Sequence, residues 1–448
     1  MSTAPPNAAS AARPAAPPRG EIRPPGDKSI SHRAHMLGAI AEGETRVDGL
    51  LDGEDVMATA AALRAMGATI DRDGPQSWRI VGPAGGRLSA PTTPLDLGNA
   101  GTGVRLLMGL VAGRGLRATF DGDASLRKRP MRRILDPLRQ MGVEASARGD
   151  DLLPVTLSGS TPLKAISYDS PVASAQVKSA ILLAGLGADG VTEVREPAPS
   201  RDHTERMLGG FGVAVEKPDP TLTRIAGGQR LKGCALRAPA DPSSAAFAAA
   251  LAAATPGAEV RLKDVGTNPL RTGFFAALRA MGARIAYDNE REIGGEPIAD
   301  IVVEGGPLRG IDLPADRAPA MIDEYPILAV CAATATGASR FRGLHELRVK
   351  ESDRLAGVAA GLVANGVAAT VDGDDLIVVG CGGPPPGGGR VAAALDHRIA
   401  MSFLVLGLLS QTATAVDDVG PVATSYPSFF DDMAALGAPV DISGNGAA

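Results

Sequence analysis

The apolar positions of the chain form a pattern that recurs six times. In each copy, apolar residues at helical spacing end in a glycine, and a small or β-branched residue then begins a strand-like segment. The glycines are Gly67, Gly142, Gly212, Gly282, Gly366 and Gly437, at intervals of 70 to 84 residues. Glycine takes the left-handed conformation after a helix at little cost, so each marks a helix C-terminus. The regular interval predicts one supersecondary unit that is used six times.

A second and more apolar helix is predicted in each copy. These helices begin near Ser29, Thr102, Ser174, Ser243, Met321 and His397. Their residues are apolar on every face, which is typical of helices in a protein interior. The unit is therefore predicted as strand, buried helix, strand, amphipathic helix, and one or two further strands. Six such units predict an α/β fold with two domains of three units each, with sheets outside and helices within.

Proline-rich breaks at residues 24–26 and 238–242 predict where the chain crosses between the domains. We assign residues 20–27 together with 239–448 to the first domain, and residues 28–238 to the second. Residues 1–19 are rich in alanine and proline and lack the apolar stretch of a signal peptide. We therefore predict that they form a disordered tail.

Composition and charge exclude several classes of protein. The 45 basic and 50 acidic residues give a net charge of −5, which argues against a nucleic-acid-binding or membrane-surface protein. The three cysteines are widely spaced and odd in number, so we expect a reducing, cytoplasmic location and no disulfide framework. No apolar run reaches the ~18 residues that a membrane span requires.

The candidate chemistry lies at the N-termini of the buried helices, where polar and basic side chains cluster. They include Lys28, Ser29 and Arg33 at the first helix, Gly101 at the second with Arg129 after it, Ser174 and Gln176 at the third, Asp323 at the fifth, and Arg398 at the sixth. One polar start is explained by helix capping alone. Six such starts pointing into one cleft would form an anion-binding site, because free N–H groups and helix dipoles favour anions.

A further cluster comes just before an amphipathic helix. Lys350, Glu351 and Arg354 flank Ser352 and Asp353, either of which is a suitable N-cap. Taken alone, this run is typical of a solvated, salt-bridged helix start. Together with the other polar helix starts, it favours a second part of the same anion site.

Three motifs that suggest other chemistry do not satisfy their own requirements. The run at 26–29 resembles the end of a P-loop, but Asp27 separates glycine from lysine, and the run at 98–103 lacks dinucleotide-binding spacing. His32 and His35 have no third ligand nearby, so we expect core histidines, no metal and no cofactor. What remains is a site for two anions with carboxylates at Asp323 and Glu351. We favour an acid/base role for Asp323, because it lies at the start of a buried helix.

At these residues the chain resembles the 5-enolpyruvylshikimate-3-phosphate synthase family. The resemblance covers residues from about 19 to 441 and is carried by Pro-Gly-Asp-Lys28-Ser29, Gly-Asn99-Ala-Gly101-Thr, Lys-Arg129-Pro, Ser174-Ala-Gln176, Asp323-Glu-Tyr, Val-Lys350-Glu351-Ser-Asp-Arg354 and Asp-His397-Arg398. Residues 173–179 and 321–326 resemble the glyphosate-tolerant bacterial subgroup, although relatives there often have alanine in place of Gly101. The family fold consists of two inside-out, barrel-like α/β domains of three repeats each.

The resemblance implies an enzyme that transfers the enolpyruvyl group of phosphoenolpyruvate to the 5-hydroxyl of shikimate 3-phosphate and releases phosphate. It implies that shikimate 3-phosphate is bound by Lys28, Ser29, Arg33, Ser174, Gln176, Asp323 and Lys350, and phosphoenolpyruvate by Lys28, Gly101, Arg129, Gln176, Arg354 and Arg398. Asp323 would be the base for the 5-hydroxyl. Glu351 and Lys28 are both candidates for proton transfer at C3, and the sequence does not choose between them. We expect a monomer that needs no macromolecular partner.

The chain departs from the family at one position, and two other functions stay open. Many members have a lysine where this chain has Thr424, so we expect Lys128 or Arg201 to supply the missing phosphate contact.

UDP-N-acetylglucosamine enolpyruvyl transferases share the fold but use a cysteine in the first half, whereas the first cysteine here is Cys234. The other alternative is a non-catalytic anion-binding protein or an RNA-end-processing relative. The acidic balance and scarcity of aromatic residues disfavour RNA.

Overall fold

The structure is a computed structural model that describes residues 7–159 and 162–442. The chain divides into two compact units. Unit 1 comprises Met1–Pro25, Pro239–Arg291 and Pro297–Ala448, and unit 2 comprises Gly26–Ala238 and Glu292–Glu296. Each unit has its own hydrophobic core.

Two kinds of α-helix alternate along the described chain. The helices are α1 Lys28–Ala39, α2 Glu54–Ala65, α3 Gly101–Gly113, α4 Arg132–Gln140, α5 Ala175–Gly185, α6 His203–Gly210, α7 Pro242–Ala253, α8 Gly273–Ala280, α9 Tyr325–Thr334, α10 Arg354–Ala364, α11 His397–Leu409 and α12 Phe429–Ala435. Short 3-10 helices span Leu126–Lys128, Ala315–Ala320, Ile322–Glu324, His345–Val349 and Gly420–Thr424. The odd-numbered α-helices are almost wholly buried, and the even-numbered ones bury one face.

This alternation confirms the predicted repeat. All six terminal glycines have positive φ values, between 76° and 101°, directly after the even-numbered helices. The buried helices begin close to the predicted residues, with one shift. Instead of starting near Met321, the fifth has a 3-10 turn at Ile322–Glu324 and becomes α-helical at Tyr325. Pro326 explains the shift, because proline fits the first turn of a helix.

Most strands form four-stranded sheets in the described ranges. The strands are β1 Ala9–Ala11, β2 Arg19–Ile22, β3 Glu44–Asp48, β4 Thr69–Gly74, β5 Ser77–Val81, β6 Leu95–Asp96, β7 Ala118–Asp121, β8 Glu144–Arg148, β9 Leu152–Ser158, β10 Leu163–Lys164, β11 Ser167–Asp169, β12 Ala188–Asp189, β13 Val191–Arg195, β14 Val215–Asp219, β15 Leu222–Ala226, β16 Ala235–Arg237, β17 Glu259–Gly266, β18 Arg284–Ile293, β19 Glu296–Glu304, β20 Asp312–Leu313, β21 Ala338–Phe341, β22 Ala368–Asp372, β23 Asp375–Val379, β24 Arg390–Val391, β25 Thr414–Val416 and β26 Asp441–Ile442. A two-stranded sheet joins β10 and β12.

The sheets repeat one topology. The strand before a buried helix pairs parallel with the strand after it, which pairs antiparallel with the second strand of a hairpin, as in the order β6-β7-β9-β8. The orders β11-β13-β15-β14 and β20-β21-β23-β22 follow the same rule. Unit 2 completes its first sheet with its last strand, because β16 pairs parallel with β3. In unit 1, β2 pairs parallel with β17 and so occupies the same edge position that β16 holds beside β3.

The prediction of a disordered tail over residues 1–19 is wrong where the structure describes this segment. Ala9–Ala11 forms β1, which pairs antiparallel with β25 and with β26. In the sheet order β24-β25-β1-β26, β1 occupies the place that a hairpin strand holds in the other repeats. The N-terminal segment therefore supplies a strand to the sheet of the last repeat. Residues 1–6 lie outside the described ranges.

Close contact between α3 and α5 places two of the polar helix starts side by side. A Cβ on Gly109 of α3 would lie 2.1 Å from the carbonyl oxygen of Ala180 of α5. Only glycine permits the two backbones to approach this closely. The N-termini of α3 and α5, which carry Gly101 and Gln176, are consequently neighbours within unit 2.

Candidate active site

The N-terminus of α1 carries the first group of predicted site residues in unit 2. Asp27 caps the helix by accepting a hydrogen bond from Ile30 N at 2.9 Å. Lys28 and Ser29 follow and are partly exposed, and Lys28 Nζ forms an ion pair with Asp55 of α2. This pair fixes the ammonium group while leaving it accessible to an anion.

Arg33 lies one turn further along α1 and is buried. Its guanidinium donates to Thr204 Oγ1 at 2.6 Å, to Ser179 Oγ at 2.8 Å and to the carbonyl oxygen of Ser29 at 2.9 Å. These bonds join α1 to α5 and α6. The structure therefore shows Arg33 bonded to protein groups, and its predicted contact with shikimate 3-phosphate stays a prediction.

The starts of α3 and α5 are joined by a chain of hydrogen bonds. Arg105 Nη1 donates to Gln176 Oε1 at 3.1 Å, and Gln176 Nε2 donates to Thr102 Oγ1 at 3.0 Å. Ser174 caps α5 by accepting from Val177 N at 3.5 Å. Arg105 is not among the residues that the sequence predicts for the site. The available signal is an arginine on an otherwise apolar helix, one turn after Gly101.

Arg129 approaches the same place from the segment before α4. It donates to Ser125 Oγ at 3.1 Å and to the side-chain oxygen of Asn99, whose Nδ2 donates to Asp123 Oδ2 at 2.7 Å. A Cβ on Gly101 would lie 2.8 Å from Arg129 Nη1 and 3.1 Å from Arg105 Nη1. Two guanidinium groups therefore flank the start of α3.

In unit 1, Arg354 is surrounded by carboxylates at the start of α10. Its side chain is 1% exposed and lies 2.8 Å from Asp396 Oδ2, 2.6 Å from Glu351 Oε2 and 3.1 Å from Asp323 Oδ1. Burial lowers the pKa of Arg354, but the charges of Asp396, Glu351 and Asp323 outweigh burial and raise it. Arg354 thus keeps its charge and orders three acidic groups.

Asp323 lies where cations from two elements meet. Its Oδ1 is 3.3 Å from Lys350 Nζ and 3.1 Å from Arg354 Nη1. Asp323 and Lys350 are partly exposed, so a ligand can reach both. The N-cap of α10, left open between Ser352 and Asp353, is Asp353, which accepts from Ala356 N at 3.0 Å. Ser352 instead donates to Asp396 Oδ2 at 3.0 Å.

Arg398 follows Asp396, which caps α11. Its Nη1 donates to the carbonyl oxygen of Asp323 at 3.0 Å and to Glu324 Oε1 at 3.2 Å. In the part of the chain that the structure describes, Nε and Nη2 of Arg398 make no hydrogen bond to protein. The partly exposed guanidinium therefore presents one edge to a ligand, and a two-donor edge suits a carboxylate or phosphate.

Thr424 stands where many family members have a lysine, but its side chain has no cationic group to offer a phosphate. Its Oγ1 donates to the carbonyl oxygen of Pro421 at 2.7 Å and lies 3.4 Å from His397 Nδ1. Thr424 is buried, Lys128 is exposed and Arg201 is partly exposed. Compensation by Lys128 or Arg201 stays a prediction.

Six α/β repeats and arginine-rich helix starts define an α/β protein whose helix starts are suited to anionic ligands. The family model for EPSP synthase (3-phosphoshikimate 1-carboxyvinyltransferase) matches residues 13–433. A 3-phosphoshikimate 1-carboxyvinyltransferase of Methylorubrum populi is 56% identical over 437 residues, covering 96% of each chain. One from Methylobacterium sp. strain 4-46 is 58% identical over 434 residues, covering 95% of this chain and 97% of the relative.

Solved structures agree with this match. The EPSP synthase of Acinetobacter baumannii superimposes with a TM-score of 0.86 at 45% identity, covering 98% of this chain and all of the other. The enolpyruvyl transferase NikO of Streptomyces tendae gives a TM-score of 0.78 at 21% identity, covering 98% and 99%, and shows the fold alone. The chain belongs to the EPSP synthase family.

None of the helices in the described ranges combines the length and apolarity needed to cross a bilayer.

Proposed function

We propose that the chain carries out the enolpyruvyl transfer of its family with the predicted residues in specific roles. It is a 3-phosphoshikimate 1-carboxyvinyltransferase of the shikimate pathway, which supplies aromatic amino-acid biosynthesis. The assignment of residues depends above all on Arg398. Its Nη1 lies 3.0 Å from the carbonyl oxygen of Asp323, so the starts of α11 and α9 bring an anion-binding fork and a carboxylate together within unit 1.

The two substrates differ in the donors they require. Phosphoenolpyruvate carries a carboxylate and a phosphate, which suit the forks of Arg129 and Arg398 together with Lys28 and Gln176. Shikimate 3-phosphate carries hydroxyls, a carboxylate and a phosphate, which suit Ser29, Ser174, Gln176, Lys28 and Lys350, with Arg33 behind them. Gly101 keeps space open between Arg105 and Arg129.

Arg354 acts differently from Arg398 because its donors already face carboxylates. A direct bond to phosphoenolpyruvate requires exchange of one carboxylate, and Glu351 is the more exposed of the nearest two, at 19% against 0% for Asp396. We therefore assign to Arg354 both its charge near phosphoenolpyruvate and the ordering of Asp323 and Glu351.

In the reaction, Asp323 accepts the proton of the 5-hydroxyl as that oxygen bonds to C2 of the enolpyruvyl group. C3 is protonated in the same addition, and phosphate then leaves as C3 loses a proton. Glu351 and Lys28 are the candidates for the proton at C3. Fixed cations such as Lys350 stabilise the charge that develops, because they need no reorganisation during the reaction.

We further propose a cytoplasmic monomer of the glyphosate-tolerant subgroup. The cysteine usage supports the location, and residues 173–179 and 321–326 support the subgroup. Of the two alternative functions, UDP-N-acetylglucosamine enolpyruvyl transfer is disfavoured by the cysteines. Cys331 is buried, and Cys234 and Cys381 lie outside the clusters of site residues at the helix starts.

The base is tested by Asp323→Asn. Asparagine keeps the size and one acceptor oxygen but cannot take the proton, so we expect turnover to fall by ~10²–10⁴. The KM for shikimate 3-phosphate should change little. Phosphate release from phosphoenolpyruvate measures both constants. The control is Asp316→Asn, at an exposed aspartate seven residues earlier, which should retain wild-type turnover. Near-normal turnover in Asp323→Asn would remove Asp323 from the mechanism.

A further inference from the structure

We propose that Glu324 is a positioning residue for phosphoenolpyruvate, acting through Arg398. The inference rests on the proposed function, because it takes Arg398 to be a phosphoenolpyruvate ligand. The side chain of Glu324 is 1% exposed, so it acts through Arg398 and not by contact with the substrate.

One carboxylate oxygen of Glu324 makes its hydrogen bonds. Oε1 accepts from Arg398 Nη1 at 3.2 Å and from the hydroxyl of Ser243. Oε2 is buried and accepts no hydrogen bond from any residue of the described ranges. A buried carboxylate is costly unless it is paired, so the charge of Glu324 depends on Arg398. The two side chains therefore hold each other in place.

Glu324 has a second anchor besides Arg398, the hydroxyl of Ser243. Ser243 lies in the first turn of α7 and accepts from Arg271 Nη2 at 2.9 Å, and the same nitrogen donates to Asp241 Oδ1 at 2.8 Å. Asp241 is the cap of α7 and accepts from Ser243 N at 2.8 Å. The position of Glu324 is thus fixed by the start of a buried helix.

This anchoring sets the direction in which Arg398 presents its donors. Nη1 is held by Glu324 and by the carbonyl oxygen of the neighbouring Asp323. Because a guanidinium is planar, fixing Nη1 between two acceptors orients the opposite edge with Nε and Nη2. Consecutive residues of one 3-10 turn therefore provide the proposed base and orient the proposed fork.

Glu324→Gln separates positioning from a simple charge effect. Removing a negative charge near an anion site strengthens anion binding, whereas releasing the guanidinium weakens it. If Glu324 positions Arg398, the KM for phosphoenolpyruvate should rise at least tenfold, with the KM for shikimate 3-phosphate within twofold of wild type. In an Arg398→Ala background, Glu324→Gln should add less than twofold.

The matched control is Glu304→Gln, which removes an exposed carboxylate of unit 1 that pairs with Arg284 at 3.1 Å. It should leave both KM values unchanged. Ser243→Ala keeps the charge of Glu324 but removes its anchor, and it should raise the KM for phosphoenolpyruvate about threefold. If Glu324→Gln does not fold, the KM of Ser243→Ala for phosphoenolpyruvate is the test of the positioning role.

The wild-type assay separates this inference from the proposed function. If wild type turns over but Glu324→Gln leaves the KM for phosphoenolpyruvate unchanged or lower, or raises both KM values equally, the positioning role is overturned alone. With Ser243→Ala as the test, an unchanged KM overturns it. No phosphate release by wild type overturns the proposed function and the positioning role together.

Discussion

Gly101 lies where any side chain would collide with two arginines. The atoms nearest to a Cβ at this position would be Nη1 of Arg129 and Nη1 of Arg105, both at the ends of flexible side chains. An alanine can therefore be accommodated by displacing the guanidinium groups rather than the backbone. The displaced group would include Arg129, a proposed phosphoenolpyruvate ligand.

Gly101→Ala is expected to weaken glyphosate more than it weakens phosphoenolpyruvate. Glyphosate occupies the phosphoenolpyruvate position in the family and extends beyond it, so the added methyl crowds the longer ligand. Overpacking of this kind costs ~1–3 kcal/mol. We expect inhibition to weaken at least tenfold and the KM for phosphoenolpyruvate to rise by less. We also expect wild type to be more sensitive than its other subgroup features suggest.

The measurement is inhibition competitive with phosphoenolpyruvate. Gly209→Ala is the control, since a Cβ at Gly209 meets no atom within 4 Å. Equal changes in both constants, or strong tolerance in wild type, would contradict the steric explanation.

His35 makes the stability of unit 2 sensitive to acid. Burial, and to a lesser extent the charge of Arg64, lowers the pKa of His35 from 6.5 to about 3. Between these values the unfolded chain binds a proton that the folded chain does not. Stability must therefore fall as the pH drops below 6.5, by about 1.4 kcal/mol per pH unit.

His35→Phe should remove the part of this dependence that comes from His35, while His32, whose pKa is also lowered by burial, keeps its own part. Phenylalanine keeps a ring beside Trp78, whose ring centre is 5.6 Å from that of His35, and cannot be protonated. Between pH 7 and pH 5 the variant should lose about 2 kcal/mol less unfolding free energy than wild type. Urea unfolding at both pH values measures this difference. The exposed His345, changed to Phe, is the control, and an unaltered pH dependence in His35→Phe would refute the assignment.

At the scale of elements, β1 completes the last sheet of unit 1 from the opposite end of the sequence. Ala11 is fully buried, and its backbone meets α11, where a Cβ on Gly407 would lie 2.5 Å from the Ala11 carbonyl oxygen. Because α11 begins at His397 and carries Arg398, β1 supports the helix that presents the proposed phosphoenolpyruvate fork.

Ala11→Leu should therefore destabilise unit 1. A leucine has no space at a fully buried position between β25 and α11, and overpacking costs ~1–3 kcal/mol. Ala12→Leu is the matched control, because Ala12 is exposed. Thermal unfolding should show a lower Tm for Ala11→Leu than for Ala12→Leu. Equal Tm values would show that β1 does not contribute to the stability of the sheet.

The elements that the sequence predicts well are those with local signals. The six glycines and the N-cap candidate Asp353 act within one helical turn, so their positions mark helix ends correctly. The prediction for the N-terminal segment fails because the partners of β1, which are β25 and β26, lie near the opposite end of the sequence. Composition carries no information about such pairing.

The same distinction applies to the candidate site. Motifs locate Lys28, Asp323 and Arg398, because each lies at a recognisable helix start. The contacts of Arg354 with Asp396 and of Arg105 with Gln176 join segments that are 42 and 71 residues apart, and no local pattern predicts them. Sequence reasoning misses Glu324 because its role follows only from its contacts with Ser243 and Arg398.

At the scale of the molecule, six copies of one α/β repeat build two hydrophobic cores, one in each unit. The buried helices of both cores carry polar side chains in their first turns. Unit 2 carries Lys28, Arg129 and Gln176, and unit 1 carries Asp323, Lys350 and Arg398. The residue roles proposed above for enolpyruvyl transfer use both groups.

The most direct test is to incubate the purified chain with phosphoenolpyruvate and shikimate 3-phosphate, and to measure phosphate release and product mass together. We predict one phosphate released per phosphoenolpyruvate consumed, with the enolpyruvyl group appearing on the shikimate acceptor. UDP-N-acetylglucosamine offered in its place should give no release. Release with UDP-N-acetylglucosamine alone, or with neither acceptor, would contradict the proposed function.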